Sequence, residues 1–288
     1  MQLGGNRWSM MPPVVKNLLI INGLMFLASL TFESSIGLDL NDLLGLHYFQ
    51  SEKFNIFQIV SYMFMHGSIS HIFFNMFAVW MFGSAIENVW GSKRFLIYYL
   101  LTGFGAAIIH YITIYIDMAP IISQMEAIIY SPNADAIIGF ANAHSWGNYI
   151  DSIRYPQIYE ETLEFYNNTL QTLNTNPNDS GALRDASVFF QDYLRHYLNL
   201  PNVIGASGSL FGILLAFGMM FPNMKLYMIF IPIPIKAKYL MIGYGAMELF
   251  SAIQDNPGDN VAHFAHIGGM LFGFIIIKFW EKTGVRWR

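Results

Sequence analysis

Hydrophobic positions along the chain gather into six runs, at about 14–32, 69–89, 95–116, 203–221, 239–253 and 261–280. A helix rises 1.5 Å per residue, so ~20 apolar residues cross the hydrocarbon core of a bilayer. The fifth run is short. It follows Ile229-Phe230-Ile231-Pro232-Ile233-Pro234-Ile235, whose two prolines predict an extended or interfacial approach rather than more helix. No series of ~10-residue alternating segments is present, so a β-barrel is not expected. The expected fold is all-α: a polytopic membrane protein with six transmembrane helices. Met10-Met11-Pro12-Pro13 leads straight into the first run without a cleavable-signal pattern, which reads as a retained first helix.

Residues 117–202 break the pattern. They are too polar to span a bilayer and too long for a simple connector. Within them, 157–173 and 183–198 have helical spacing, with Ile158, Leu163, Phe165 and Leu170, then Phe189, Phe190, Leu194 and Leu198. The expectation is one membrane domain over 1–288, carrying an extracytoplasmic insertion over 117–202 with two amphipathic helices. Their apolar faces serve either internal packing or contact with lipid or substrate. Asn174–Gly181 is a polar break between them.

Composition agrees with the pattern: 54% of residues are hydrophobic and only 12% charged, about half the charge of a soluble domain. Charge also sets an orientation. With the N-terminus in the cytoplasm and sides alternating, inner segments hold eleven Lys and Arg and outer segments four, namely Lys53, Arg154, Arg184 and Arg195. Positive charge collects inside, so both termini are expected in the cytoplasm, with a bacterial cytoplasmic (inner) membrane as the expected host. Trp90, Trp280 and Trp287 stand near span ends as candidate interfacial anchors. Cysteine is absent, which removes disulfides and thiolate metal sites. A net charge of −4 gives no sign of nucleic-acid binding.

Polar residues inside the apolar runs are the candidate chemistry. Such groups are costly in lipid and usually face a bundle interior or a water-filled cavity. Under the alternating topology the second, fourth and sixth spans run from outside to inside. Ser207, four residues into the fourth, and His266, five into the sixth, then lie ~6–8 Å below the outer ends of their helices. His71 and Asn75 lie at i, i+4 on one face of the second, at similar depth. Gly205, Gly208 and Gly212 on the fourth span, and Ala262, Gly269 and Gly273 on the sixth, allow close backbone approach, which makes these spans expected neighbours. A serine hydroxyl needs a base, and histidine is the commonest one near neutral pH. An oxyanion needs preorganised donors. The Asn75 amide, the His71 imidazole and the Ser207 backbone N–H are candidates.

Gly205-Ala206-Ser207-Gly208 resembles the GxSG motif of rhomboid intramembrane serine proteases. Ala265-His266-Ile267-Gly268-Gly269-Met270-Leu271-Phe272-Gly273 resembles their AHxxGxxxG motif, and His71-Ile72-Phe73-Phe74-Asn75 their HxxxN motif. The resemblance covers roughly 14–116 and 200–280, and its three motifs fall in order on the matching spans. It implies a rhomboid-like bundle acting as a serine endopeptidase on transmembrane protein substrates in a bilayer. It also implies Ser207 as nucleophile, His266 as base in a dyad without aspartate, and His71 and Asn75 at oxyanion positions. Phe211 falls where many members pack an aromatic on the catalytic histidine. No cofactor or metal is implied. Many members carry Trp-Arg ahead of the second span, where this chain has Phe57-Gln58. The substrate and the oligomeric state are not legible.

Competing readings each have a mark. A catalytically dead relative would not need both Ser207 and His266. A channel would tolerate loss of the serine hydroxyl. His263 beside His266 raises a metal site, but no HExxH is present and Asp259 is the carboxylate nearest in sequence. Ser209 stands where a GxSxG elbow needs its second glycine, and no GxGD motif occurs. Glu87 reads as a structural hydrogen-bonding group; Glu248 has no evident role. His66 reads as an interfacial residue of the first loop.

Overall fold

The computed structural model describes residues 8–228, 231–254 and 262–284. The expected start of the sixth span at 261 lies outside these, as do Arg7, Arg286, Arg288, Asp259 and Trp287. The elements in order are α1 (Pro13–Ile36), α2 (Leu40–Leu44), α3 (Ile69–Trp90), α4 (Ser92–Tyr130) and α5 (Ala134–Ala143). Then come α6 (156–175), α7 (Ser180–Asn199), α8 (Ser207–Met220), β1 (Lys225–Met228), β2 (Ile231–Lys236), α9 (Ala237–Gln254) and α10 (His263–Lys282).

Helices stand at all six expected spans. Four of them, α1, α3, α4 and α10, are by themselves long and apolar enough to cross a membrane, and α8 is a shorter apolar helix. The proline-rich approach to the fifth is an antiparallel hairpin, with Lys225 opposite Lys236, which agrees with its extended reading. Residues group into two compact units. One comprises 1–46, 55–112 and 203–288, and the other 47–54 and 113–202, so α4 contributes to both.

The first unit is a bundle turned inside out relative to a soluble protein. α1 exposes Leu24, Leu27 and Leu30, α3 exposes Phe73, Phe74 and Met81, and α10 exposes Leu271, Phe274 and Phe279. Hydrocarbon as solvent makes such faces favourable and leaves packing to close backbone contact. α8 is the centre of this packing. A Cβ on Gly212 would lie 2.7 Å from Thr102 Cγ2 of α4. The serine helix therefore uses its small residues against α4 as well as against α10. Buried Glu87 accepts from the backbone N–H groups of Val14 and Val15, at 2.9 and 2.8 Å, and from Ser92 Oγ at 2.6 Å. It satisfies the otherwise unpaired N-terminus of α1, as the structural reading expects. Trp90 is not an interfacial anchor. It is buried, edge-on to Tyr98 at 4.8 Å and to Trp280 at 5.4 Å, because three large rings fill the space where these helix ends meet.

The second unit has its own core of aromatic and aliphatic side chains. α4 does not end at 116; it continues through Pro120 to Tyr130, and Met125 and Ile128 are buried in this core. α5, which the apolar pattern does not predict, adds Ile137 and Phe140. The two expected amphipathic helices are α6 and α7. α7 buries Ala182, Ala186, Phe189, Phe190, Tyr193 and Tyr197, one stripe at helical spacing. Phe165 stacks on Phe189 at 4.3 Å. Most of the apolar residues of these helices pack internally, whereas Leu163 and Val188 are exposed.

Candidate active site

Three helix N-termini meet in the first unit, and each carries one candidate residue. Ser207 is the first residue of α8, His71 the third of α3 and His266 the fourth of α10. Ser207 is thus not a full turn inside its helix, as the sequence pattern predicts, but at its tip. The cause is Gly205, at φ +123°, a conformation L side chains rarely adopt, which stops the helix from starting at 203. Space gives a second reason for glycine there: a Cβ would lie 2.8 Å from His71 Nε2 and 3.7 Å from Ser207 Oγ. The same construction puts His71 Nε2 and the serine hydroxyl on one side of Gly205. Gly205 is held by its N–H, which donates to Tyr62 O at 2.8 Å. The first N–H groups of α8 have no partner within the helix and are available to an anion at its tip.

α8 and α10 touch through backbone. A Cβ on Gly269 would fall onto the carbonyl oxygen of Gly208, and one on Gly273 would meet the Tyr98 hydroxyl. This approach makes room for a flat contact: Phe211 lies parallel to the His266 ring, centroids 4.3 Å apart. His266 is buried, whereas Ser207 is partly open.

His66 is also buried, so it is not an interfacial residue. Its ring is edge-on to His71 at 4.8 Å, and Asn75 Nδ2 donates to His66 Nε2 at 3.1 Å. One amide hydrogen of Asn75 remains for another acceptor. Burial and the neighbouring His71 push the His66 imidazole down to about 4, so it is neutral and accepts from Asn75 at ordinary pH. His66 thus supports the second-span pair from the first loop. The loop itself is anchored by Gln58, one of the two residues that depart from the family pattern. Its amide donates to Leu43 O at 3.1 Å and accepts from Asn55 N at 3.1 Å, while Phe57 is exposed.

Glu248 of α9 is the residue to which the sequence assigns no role. Its Oε2 accepts from His266 Nδ1 at 2.8 Å and from His263 Nδ1 at 2.7 Å. The nitrogen and oxygen atoms that Glu248, His263 and His266 offer lie within 4.8 Å of one another. Both imidazoles bond to the same carboxylate oxygen. Fifteen residues separate Glu248 from His263, and no local spacing links them.

Comparison with known proteins matches this architecture. The rhomboid domain model fits residues 53–124 and 181–281, skipping most of the second unit. An uncharacterized mitochondrial rhomboid protein of Schizosaccharomyces pombe is 22% identical over 248 residues, covering 82% of this chain and 56% of that protein. The rhomboid protease GluP of Bacillus subtilis is 40% identical over 48 residues, 17% of this chain and 10% of its own length. The chain therefore spans about half, or less, of the relatives it matches. With the family model fitting well over half of its residues, the chain belongs to the rhomboid family.

Proposed function

We propose that this integral, multi-pass membrane protein is an intramembrane serine endopeptidase that hydrolyses peptide bonds in or near transmembrane segments of other membrane proteins. The observation that supports the reading is Ser207 Oγ and His71 Nε2 on one side of Gly205, with His266 on the helix that touches α8 through backbone and stacked on Phe211. Ser207 Oγ attacks the scissile carbonyl carbon as His266 takes its proton. The His71 imidazole, the Asn75 amide and the Ser207 backbone N–H receive the developing oxyanion. Collapse of the tetrahedral intermediate passes the proton from His266 to the leaving amine and leaves an acyl-enzyme, which water then hydrolyses. The bond cut lies near the outer end of the substrate helix, in a segment that can unwind, because a helical carbonyl is hidden from a nucleophile. In this reading both termini are cytoplasmic, all six helices span the membrane and 117–202 is extracytoplasmic, in a bacterial inner membrane.

A fluorophosphonate probe applied in detergent to wild type and Ser207→Ala tests the assignment, together with cleavage of a transmembrane substrate in vesicles. Labelling and cleavage should both vanish in the variant. Cleavage that survives loss of the hydroxyl would remove the serine-protease reading.

A further inference from the structure

The roles of Ser207, His266 and the oxyanion donors leave one group without a part, a half-buried carboxylate against the base. Lipid-facing helices rarely carry an ionisable residue without a use. Glu248 sits on α9, whose Ile242, Leu249, Phe250 and Ile253 are exposed apolar residues, yet it turns inward with a side chain only 13% exposed. Both of its short contacts go to imidazole nitrogens of α10 through a single oxygen.

The chemistry of those contacts fixes proton positions. An ionised carboxylate only accepts hydrogen bonds. Two imidazoles bonded to one carboxylate oxygen must therefore each carry hydrogen on Nδ1. For neutral His266 that leaves Nε2 with its lone pair, the nitrogen a general base needs. A histidine without an acceptor at Nδ1 is free to take the other tautomer and to rotate about its side-chain bonds. Phe211 blocks rotation from one face, the two rings being 12° from parallel. The carboxylate and the aromatic together hold the imidazole in one orientation and one protonation pattern. When His266 becomes imidazolium during acylation, Glu248 is also the nearest compensating charge.

We propose that Glu248 is a positioning residue that orients His266 and makes the expected dyad function as a Ser207-His266-Glu248 triad. This rests on the serine-protease reading above. The competing account is that Glu248 only ties α9 to α10, with the two histidines as convenient donors.

Catalysis and structure are separated by three variants in the full-length protein, measured in detergent and in vesicles. Glu248→Gln keeps the shape but cannot accept from both imidazoles as the carboxylate does. Its kcat and its rate of fluorophosphonate labelling should fall together by about 10²–10⁴-fold, the range for losing an orienting partner, with KM changed by less than about threefold. Glu248→Ala should be comparably slow and leave a carboxylate-sized space. Formate or acetate should then restore its labelling by about tenfold or more, whereas added chloride should not; a helix tie has no reason to respond to a small carboxylate. Ser207→Ala should be inactive in every background. A fall of less than about tenfold in kcat for Glu248→Gln overturns the proposal, and so does an inactive Glu248→Ala that no carboxylate rescues. Ser207→Ala retaining cleavage would remove the parent reading along with this one. An inactive Ser207→Ala beside a near-wild-type Glu248→Gln removes this one alone.

Discussion

The bundle and the insertion solve the burial problem in opposite ways. In the bundle, many apolar side chains face outward, and inside it backbones come into contact, as at Gly208 and Gly269, between buried side chains such as Phe95, Tyr98 and Tyr99. In the insertion the interior is side chain. Phe165, Phe189, Phe190, Tyr193 and Trp146 interlock, and His144 is bonded to the Tyr193 hydroxyl at 2.6 Å. Hydrocarbon gives no drive to bury apolar surface, so close fit and hydrogen bonds hold a membrane bundle. A side-chain core such as the insertion's is the kind that exclusion from water holds together. The candidate site lies in the bundle, which also holds most of the buried polar side chains among the described residues, Asn75, Glu87 and His266 included.

Predictions that would break or sharpen this contrast can be ordered by their effect on serine labelling. The largest is the loss of the reacting groups. Ser207→Ala and His266→Ala should each lower substrate cleavage by at least about 10³-fold, because members of such a unit act together; thermal stability in detergent should stay near wild type in Ser207→Ala, which loses a single hydroxyl. Next come the oxyanion positions. His71→Ala and Asn75→Ala should each lower kcat by about 10²–10³-fold, more than they raise KM. Asn75→Ala also frees His66, so a comparable loss in His66→Ala would assign part of the Asn75 effect to loop positioning.

A smaller effect is expected from the insertion. Exchanging 131–199 for a Gly/Ser linker should leave fluorophosphonate labelling of Ser207 within about threefold, since loop closure depends only weakly on length. Cutting only 131–178 is the sharper test. It removes Phe140, Trp146 and Phe165 but leaves Phe189, Phe190 and Tyr193 of α7 without their partners, so this shorter deletion should express worse than the longer one. Equal behaviour of the two would mean that the aromatic core is not what holds the insertion together.

The smallest effect is one of acidity. Burial holds the His144 imidazole at about 4, below its ordinary 6.5. A group whose folded value is depressed contributes stability that is complete above 6.5 and is lost as pH falls toward 4. Hydrogen-exchange protection factors across 134–199, corrected for the intrinsic pH dependence of exchange, should therefore fall in that window, with less change in His144→Gln. His196, also lowered by burial, keeps some of the acid response in that variant. Labelling of Ser207 at neutral pH should not change.

Much of this was legible along the chain because it is local. Apolar runs mark the membrane helices, since a span needs a fixed length of hydrocarbon-compatible residues. The motifs around Ser207, His266 and His71 are each contained within a few residues, and the stripe of α7 shows in its spacing. Gln58 is an intermediate case: its difference from the family pattern was visible, but its use as a loop anchor needed the positions of Leu43 and Asn55. Tertiary structure decided the rest. The continuation of α4 through Pro120 depends on packing in the insertion core, which overrides a residue that normally ends helices. The start of α8 at Ser207 depends on the backbone angle of Gly205. The burial of His66 against Asn75, and the hydrogen bonds of Glu248 to His263 and His266, join residues on different elements. No periodicity within one helix encodes such contacts; they exist only once the close backbone approach of the helices brings those side chains to one place.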